Sequence, residues 1–543
     1  MVLWASFVNC TKDWLDINQD PNQPTKMELD QVLSFGERYM IYGFGQGNFL
    51  GTRLSSYTHH AVIRESENYG MTTQDNNIFN SWNYLYIYAL KNFDAIIDVA
   101  EPDGNLIYAG IAKTLKAYIF SMMVDLWGDI PFSEFNVPGV TAPKPDASKD
   151  IYNAVIALLE EAVADLRNTS ATNALKPGSA DFFYAGNVDR WVKANNTIKL
   201  KLLLQTRKAK GDITDWQGKL SALITANNFI ALGEDFQFWY NERTTPQDHR
   251  HPAFLGYTGQ HTFYISPYFY ETMTGQTYNI TDNPFAEIKD PRLPYYFVNQ
   301  LTSTGVSENP HEYRNGNFMS RFFCSNGPNG NSVNDRSCSK IGIYACGGKY
   351  DNGAGGAVSL TTGNGVAPHK LITFASLKFI LAELALTGDI SQDAQALLKE
   401  GIAAAIAHVN TVAAKQTGTP QIADAARDEY IAAILEKYEA ADAAGKMRIL
   451  IMQKWIHNFM SPIDCYTDYR RTGYPTLFDP QKTQHPGFGV NPTVTDRSAE
   501  QVPLYNIASF PRSLYYPANS ETELNPNLPQ KSNVSIPLVF WDK

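Results

Sequence analysis

The chain has 543 residues, a formal net charge of −10 and 18% charged residues, while 44% of its residues are hydrophobic. Disordered chains combine low hydrophobicity with high charge, and nucleic-acid-binding domains carry a basic surface, so this composition excludes both classes. No run of about 20 consecutive apolar residues occurs, which argues against a bundle of membrane-spanning helices.

The sequence begins with Met1–Val8, a mostly apolar stretch without Lys or Arg, which is followed by Asn9 and Cys10. This stretch looks like the last part of a secretory signal whose basic beginning is missing. Bacterial lipoprotein processing acylates a cysteine that follows such a stretch, so Cys10 is a candidate lipid anchor. Asn9 stands where a small residue is expected, so a cysteine without this role is the alternative.

The first half of the chain shows helical hairpins. Polar residues and prolines over 11–35 predict an extended lead-in, and residues 36–80 have no clear period. From Trp82 onward, apolar residues recur at helical spacing, and Pro-Asp-Gly-Asn at 102–105 predicts a turn between two paired helices. We predict further helices over 105–126, 150–166, 189–209 and 212–226.

The middle of the chain is different, because residues 231–369 are rich in Tyr, Phe, Asn, Gly and Pro and lack a sustained period. Helical spacing returns over 371–387, 391–412, 424–438 and 445–460. A long loop-rich segment inside a helical protein is usually functional. The sequence therefore predicts five segments: 1–35 as signal remnant, anchor and lead-in; 36–230 as N-terminal helical hairpins; 231–369 as a loop-rich, ligand-facing insertion; 370–460 as C-terminal helical hairpins; and 461–543 as an irregular segment that packs on the body.

Several segments resemble, in order, those of the SusD/RagB family of outer-membrane lipoproteins. The stretch from Cys10 reads Cys-Thr-Lys-Asp-Trp-Leu-Asp-Ile-Asn-Gln-Asp-Pro-Asn, and a later one from Val124 reads Val-Asp-Leu-Trp-Gly-Asp-Ile-Pro. Asp-Pro-Arg-Leu at 290–293 and Tyr-Arg-Arg-Thr-Gly-Tyr-Pro at 469–475 also match. The resemblance spans nearly the whole chain, although in the middle third only the Asp-Pro-Arg segment carries it.

This resemblance implies a mainly α fold, in which tetratricopeptide-like helical hairpins form a right-handed superhelix beside a large, loop-rich part with few strands. It implies a non-catalytic lipoprotein, held on the cell-surface face of the outer membrane by a lipid on Cys10. Such proteins capture nutrients, most often oligosaccharides, and deliver them to a SusC-like TonB-dependent transporter. No cofactor and no nucleic-acid partner are expected.

Charged motifs outside the loops have structural interpretations that we favour over functional ones. Asp125 and Asp129 flank a helix end that Gly128 caps, and Arg470 and Arg471 are expected to form a buried salt bridge. We predict no metal site, because the pairs His59–His60 and His249–His251 lack a third ligand. Structural calcium at Asp335, Asp351 and Asn352 in glycine-rich loops is an open alternative, although no EF-hand spacing is present.

Aromatic residues make up 13% of the chain, and tyrosine is the most common of them. Flat rings suit the apolar face of a sugar, while Asn, Asp, Arg and the tyrosine hydroxyl suit its hydroxyl groups. Three loop segments offer this mixture. The candidate ligand-binding residues are Tyr69, Asn76, Asn77, Phe79, Trp239, Tyr240, Arg243, Tyr264, Tyr268, Tyr296, Tyr313, Arg314 and Phe322.

Three other functions compete with glycan capture. A RagB-like peptide binder would favour charged grooves over aromatic surfaces, and the low charge leans mildly against it. A glycoside hydrolase would need two carboxylates across a cleft, a pair that sequence cannot locate. A scaffold that binds only protein through its helical array is the third alternative.

Overall fold

The computed structural model describes residues 28–47, 49–63, 69–258, 263–278, 282–301, 313–323, 338–477 and 508–543. Helices dominate these ranges, so the predicted mainly α fold class is confirmed. The candidate anchor Cys10 and most of the predicted lead-in lie outside the described residues, while residues 29–35 of that lead-in form the start of a helix and are not extended as predicted. Within the described ranges, no helix combines the length and the hydropathy needed to cross a membrane.

The N-terminal part is built of helices that pair with their neighbours along the chain. α5 (Leu106–Trp127) is mostly apolar, and all of its residues except Leu106, Ile107 and Lys116 are buried. It packs against both α4 (Lys91–Ala100) and α6 (Ser148–Leu166). Gly110 permits the close approach to α6, because a Cβ there would lie 2.6 Å from Leu166 Cγ. The elements are α1 (Leu29–Phe44), α2 (Leu50–Tyr57), β1 (Ala61–Ile63), α3 (Asn76–Asn83), a π-helix (Tyr84–Leu90), α4 (Lys91–Ala100), α5 (Leu106–Trp127), β2 (Ile130–Pro131), β3 (Pro145–Asp146), α6 (Ser148–Leu166), a 3₁₀ turn (Gly178–Ala180), α7 (Val188–Gln205), a second 3₁₀ turn (Arg207–Asp212) and α8 (Trp216–Ala226).

The middle part contains short elements, as the sequence predicts. Its strands form antiparallel pairs: β4 (Phe236–Trp239) with β10 (Pro368–Ile372), β6 (Phe297–Val298) with β9 (Lys340–Ile341), and β7 (Tyr313–Asn315) with β8 (Phe318–Ser320). β5 (Phe263–Ile265) pairs antiparallel with β1 of the N-terminal part. The elements are β4 (Phe236–Trp239), α9 (Pro252–Leu255), β5 (Phe263–Ile265), α10 (Pro267–Thr274), α11 (Leu293–Tyr296), β6 (Phe297–Val298), β7 (Tyr313–Asn315), β8 (Phe318–Ser320), β9 (Lys340–Ile341), α12 (Ile343–Cys346) and β10 (Pro368–Ile372).

The C-terminal part returns to paired helices. Gly401 lets α14 lie close to α13, because a Cβ there would be 2.6 Å from Phe379 Cε1. Residues 462–472 form a helix, although the sequence predicts that they belong to the irregular segment 461–543. The elements are α13 (Phe374–Leu386), α14 (Ala394–Ala413), α15 (Asp424–Ala440), α16 (Ala443–His457), α17 (Pro462–Thr472) and a π-helical turn (Ala518–Thr522).

Buried ion pairs join α17 to the rest of the core. Arg471 Nη2 donates to Glu383 Oε2 of α13 at 2.9 Å, and Arg470 Nε donates to Asp542 Oδ2 at 2.9 Å near the end of the chain. Both guanidinium groups are fully buried. The predicted structural role of the two arginines is therefore confirmed.

The end of α5 also has the predicted structural role. Gly128 has φ +79° and its N–H donates to Val124 O at 2.8 Å, which ends the helix. Trp127 is fully buried, and burial raises the pKa of the Asp125 carboxyl to about 6. Asp125 accepts hydrogen bonds from Tyr152 and from the indole of Trp541, so this carboxylate serves the core.

Candidate functional site

Strand β4 leads from the N-terminal helices into the loop-rich insertion, and its partner β10 leads out of it. Phe238 lies opposite His369, and Trp239 lies opposite Pro368. The side chains of a strand alternate between its two faces, so Phe236 and Phe238 share one face while Gln237 and Trp239 share the other. Phe236 is fully buried, whereas Phe238 and Trp239 are only half-buried. The strand thus carries its aromatic rings from the core out to a surface.

That surface is the wall of a cleft with a volume of about 490 Å³. Its walls come from α1, from the loop before α7, from β4 and from the loop between β4 and α9. Apolar rings and charged groups both line it. The lining residues are Arg38, Ile41, Tyr42, Phe182, Phe238, Trp239, Tyr240, Asn241, Arg243, Asp248, His249, Arg250, Pro252 and Leu255.

Helix α1 supplies Arg38 and Tyr42, which lie one turn apart on the same helix face. Arg38 donates to the Tyr42 hydroxyl from Nε at 2.9 Å and from Nη2 at 2.7 Å. Its guanidinium carbon lies 5.2 Å from the Tyr42 ring centre. The two side chains therefore hold each other in place at the edge of the cleft.

Phe182 also lines the cleft, and α1 positions it. Glu37 is fully buried on α1, and its Oε2 accepts the backbone N–H of Phe182 at 2.8 Å. Ser34 donates to the carbonyl of Ala180 in the preceding turn at 2.8 Å. Burial raises the pKa of Glu37 well above its ordinary range, and the nearby Asp181 raises it further. Phe182 itself is 42% exposed and packs edge-on against Phe238 at 5.6 Å.

The loop after β4 closes on itself and presents charged groups to the cleft. The Asn241 N–H donates to His249 O at 3.1 Å, and the His249 N–H donates to Arg243 O at 2.8 Å. Arg243 Nη2 also lies 3.1 Å from His249 Nδ1. Arg250 is engaged differently, since its Nη2 donates to Asp248 Oδ2 at 2.7 Å.

The electrostatics of the cleft follow from these contacts. Burial lowers the pKa of His249 below its usual 6.5, and the positive charges of Arg243 and Arg38 lower it further. His249 is therefore neutral at pH 7, and both guanidinium groups lie within electrostatic reach of one ring. The hydrogen bond from Arg250 lowers the pKa of Asp248, so this carboxylate is ionised and paired.

A group of half-buried and exposed rings continues from Tyr42 along α1 and the π-helix. We call it the outer aromatic cluster. Tyr39 lies 4.3 Å from Phe35 and 4.9 Å from Tyr88 between ring centres, and Phe35 is 40% exposed. Burial raises the pKa of Tyr84, as does its contact with the neighbouring tyrosines. The members of the cluster are Phe35, Tyr39, Tyr42, Phe49, Tyr84 and Tyr88.

Of the thirteen residues that the sequence proposed for ligand contact, the structure brings together Trp239, Tyr240 and Arg243, which all line the cleft. Asn76, Asn77 and Phe79 lie on α3 and do not line it. Asn76 is exposed there, and Asn77 serves the start of the helix, where its backbone N–H donates to Asp75 Oδ1 at 2.9 Å.

The other candidates from the loop segments lie in the core. The Tyr296 hydroxyl donates to Ile456 O at 3.1 Å, that of Tyr268 to Thr476 O at 2.8 Å, and that of Tyr313 to Glu271 Oε1 at 2.9 Å. These hydroxyl groups satisfy buried acceptors, which is the usual role of a tyrosine in a core. As a correction to the sequence-based placement, the residues that the structure buries away from the cleft are Tyr69, Tyr264, Tyr268, Tyr296, Tyr313, Arg314 and Phe322.

Sequence reasoning missed Arg38, Tyr42 and Phe182. A signal for the first two exists, because Phe35, Tyr39 and Tyr42 recur at helical spacing across the boundary between the predicted lead-in and the stretch 36–80, which has no clear period. For Phe182 no local signal exists, since its place in the cleft depends on a hydrogen bond to Glu37, 145 residues away in the sequence.

The described residues contain no group of three or more His, Cys, Asp or Glu side chains placed to hold a metal ion. His251 is buried, and its Nδ1 accepts the Ala253 N–H at 3.1 Å, which caps α9. Asp351 Oδ1 accepts the backbone N–H of Gly353 at 2.9 Å, and its Oδ2 accepts that of Asn299 at 3.0 Å. Asp335, the other acidic residue considered for calcium, lies outside the described residues.

Two further cavities are also lined by aromatic side chains. One of about 320 Å³ shares Trp239 with the cleft and is also lined by Phe374 and Lys415. Lys415 Nζ lies 5.1 Å from the centre of the Trp239 ring system. The second, of about 400 Å³, is lined by Tyr86, Phe135 and several Pro and Val side chains. The cleft differs from both because it combines several rings with three arginines.

Comparison with known proteins gives one family. The sequence model of the SusD-like family, described as starch-binding and associating with the outer membrane, matches residues 21–493. A comparison with curated proteins finds no significant match.

Solved structures share the fold. A SusD homolog from Bacteroides fragilis superposes with a TM-score of 0.66 at 19% identity, over 95% of this chain and 100% of the other. A SusD/RagB family protein from Bacteroides thetaiotaomicron gives 0.64 at 20% identity, over 95% and 99%. A chitin-binding SusD homolog from Flavobacterium johnsoniae gives 0.60 at 19% identity, over 95% and 97%. The chain is therefore similar to these proteins over nearly its full length.

Proposed function

Since the chain belongs to the SusD-like family, which is described as starch-binding and associating with the outer membrane, we propose that it is a non-catalytic, lipid-anchored protein of the cell surface that captures an oligosaccharide in the cleft at β4. It then delivers the sugar to a SusC-like TonB-dependent transporter. The observation that carries the proposal is the cleft itself, in which aromatic rings, most of them half-buried, and hydrogen-bonding groups face a common space.

The composition of the cleft suits a sugar. A pyranose ring has an apolar face of C–H groups and a rim of hydroxyl groups. Phe182, Trp239 and Tyr42 offer flat surfaces for the faces, while Asn241 and Arg243 offer donors and acceptors for the rim. Because α1 and the β4–β10 pair fix these rings, little conformational entropy is lost when a sugar binds.

The outer aromatic cluster extends this surface beyond the cleft. Tyr42 belongs to both, so a chain of sugars that leaves the cleft meets Tyr39 and Tyr88 next. An extended ligand of several sugar units therefore fits better than a monosaccharide. Two of the structural relatives are described as chitin-binding, which also supports a glycan as the ligand class.

The charges in the cleft favour binding without catalysis. Glycoside hydrolases use a pair of carboxyl groups on opposite sides of the scissile bond. Among the described residues that line the cleft, Asp248 is the only carboxylate, and Arg250 holds it in an ion pair. A single paired carboxylate provides neither the general acid nor the second group of such a mechanism.

Membrane attachment and the transporter partner rest on the family and on the sequence resemblance. The family description supports association with the outer membrane, and Cys10 is the residue that would carry the lipid. Solubilising native membranes in a mild detergent and identifying co-purified proteins by mass spectrometry tests this part. We expect a TonB-dependent transporter in stoichiometric amounts with wild-type protein; its absence would contradict delivery to such a partner.

Affinity electrophoresis through gels that contain starch, chitin derivatives, pectin, xylan or sulfated galactans tests capture. We expect retardation by at least one glycan. Unchanged mobility throughout, together with calorimetric binding of oligopeptides, would overturn the proposal in favour of a peptide binder.

A further inference from the structure

The cleft carries positive charge in a protein that is negative overall. Three arginines and one aspartate line it, while the whole chain has a formal net charge of −10. Asp248 and Arg250 neutralise each other through a bidentate contact, in which Arg250 Nε lies 3.0 Å from Oδ1 and Nη2 lies 2.7 Å from Oδ2. The charges of Arg38 and Arg243 are therefore left to the cleft.

Neither of these two arginines has a carboxylate within 4 Å among the described residues. Arg38 contacts the Tyr42 hydroxyl, and Arg243 contacts the ring of His249, which is neutral at pH 7. Other arginines in the described ranges do have a carboxylate partner; Arg292 and Arg471, for example, form ion pairs with carboxylates. The cleft therefore holds two guanidinium groups that have neutral neighbours in place of a counter-ion.

We propose that the captured oligosaccharide is acidic, and that Arg38 and Arg243 bind its carboxylate or sulfate groups while the rings of Phe182 and Trp239 bind its sugar faces. The proposal rests on the function proposed above and specifies the ligand class of the same cleft. A planar guanidinium presents two parallel N–H groups, a geometry that matches both carboxylate and sulfate oxygens.

The position of the two arginines supports recognition of charge along a chain of sugars. Arg38 stands beside Tyr42, where the cleft meets the outer aromatic cluster, and Arg243 stands in the exposed loop after β4. Both side chains line the same cleft, so they face a common space. An acidic glycan approaching a negative protein is attracted only where such local charge outweighs the long-range repulsion.

Isothermal titration calorimetry with three tetrasaccharides tests the proposal. The probes are tetragalacturonate, which carries carboxylates, a κ-carrageenan tetrasaccharide, which carries sulfate esters, and maltotetraose, which is neutral. We expect at least one acidic probe to bind about tenfold more tightly than maltotetraose, the scale of one charge-assisted hydrogen bond. The two acidic probes distinguish recognition of a carboxylate from recognition of a sulfate. The preference for an acidic probe over maltotetraose should decrease as the salt concentration rises from about 0.05 to about 0.5 M.

The variants are Arg243→Gln, in an exposed loop, and the double variant Arg38→Gln/Arg243→Gln. Arg167→Gln is the matched control, because Arg167 is an exposed arginine at the end of α6 that does not line the cleft. We expect the acidic preference to fall in Arg243→Gln, to vanish in the double variant and to persist in the control.

The outcomes separate this proposal from the general one. Equal or tighter binding of maltotetraose by wild type would overturn the acidic ligand and leave glycan capture intact. An acidic preference that survives in Arg243→Gln and the double variant would overturn the assignment to these arginines. Failure of all three probes and of the wider gel panel would overturn glycan capture itself.

Discussion

Replacing Trp239 by alanine removes the largest ring from the cleft. The indole is half-buried in β4, and Lys415 lies over it on the side of the neighbouring cavity. The side towards the cleft is therefore the one that a sugar can cover. If a pyranose removes roughly 60 Å² of this ring from water, at about 25 cal/mol per Å², the contact contributes about 1.5 kcal/mol. That free energy corresponds to about a tenfold rise in Kd on substitution.

Isothermal titration with the tightest-binding tetrasaccharide measures this change, and thermal unfolding checks that the variant folds. Trp239→Phe keeps part of the ring and should lie between wild type and Trp239→Ala. Phe374→Ala is the matched control, because Phe374 is a half-buried ring that borders the neighbouring cavity together with Trp239 but does not line the cleft. Unchanged affinity of Trp239→Ala would refute the reasoning, and a larger loss in Phe374→Ala would move the ligand to the neighbouring cavity.

Three further predictions concern positioning and stability. Glu37→Ala removes the acceptor that holds Phe182, so calorimetric titration should show glycan binding weakened severalfold. Glu37→Gln retains an acceptor and should bind glycan nearly as wild type does. Equal weakening in both variants would contradict this role. Burial lowers the pKa of Lys370 to about 7 from an ordinary value of 10.5. The unfolded chain therefore binds this proton more tightly than the folded protein does. The free energy of unfolding should rise as the pH increases above 7, by at most ~1.4 kcal/mol per pH unit. Urea unfolding at pH 7 and pH 9 should show that rise in wild type and a smaller one in Lys370→Met. The same change in the free energy of unfolding between the two pH values in both proteins would contradict the prediction. Arg471→Gln leaves Glu383 buried without its partner and should lower the free energy of unfolding by about 3–5 kcal/mol. The control is Arg427→Gln, whose arginine pairs with the exposed carboxylates of Asp424 and Asp428, and it should cost less than about 0.5 kcal/mol. A loss under about 1 kcal/mol for Arg471→Gln would contradict a buried pair.

The helices were predictable because their apolar residues repeat at a period that the sequence displays. α5 lies within one residue of its predicted bounds and α14 within three, and the end of α5 at Gly128 was predicted from the glycine itself. α1 and α2 were not predicted, because polar residues and prolines favoured an extended lead-in up to residue 35, and aromatic and glycine residues blur the period over 36–80. α17 was missed because Arg470, Arg471 and Asp468 make it look like a polar loop, while their buried ion pairs form only in the folded protein.

The candidate site was predictable only in part, because composition locates rings along the chain but not in space. Trp239, Tyr240 and Arg243 were proposed from an aromatic loop, and they do line the cleft. Tyr296 and Tyr313 come from equally aromatic loops, yet backbone and carboxylate acceptors from distant elements draw them into the core. Many of the aromatic residues therefore pack in the core, and their burial distinguishes them from the rings that line the cleft.

A crystal structure with the tightest-binding tetrasaccharide tests the central claim most directly. We predict a sugar ring against Trp239 within the cleft, a second contact at Phe182 or Tyr42, and an acidic group of the sugar within hydrogen-bonding distance of Arg38 or Arg243. A saccharide bound elsewhere, for example at the cavity lined by Tyr86 and Phe135, with the cleft empty, would contradict the account.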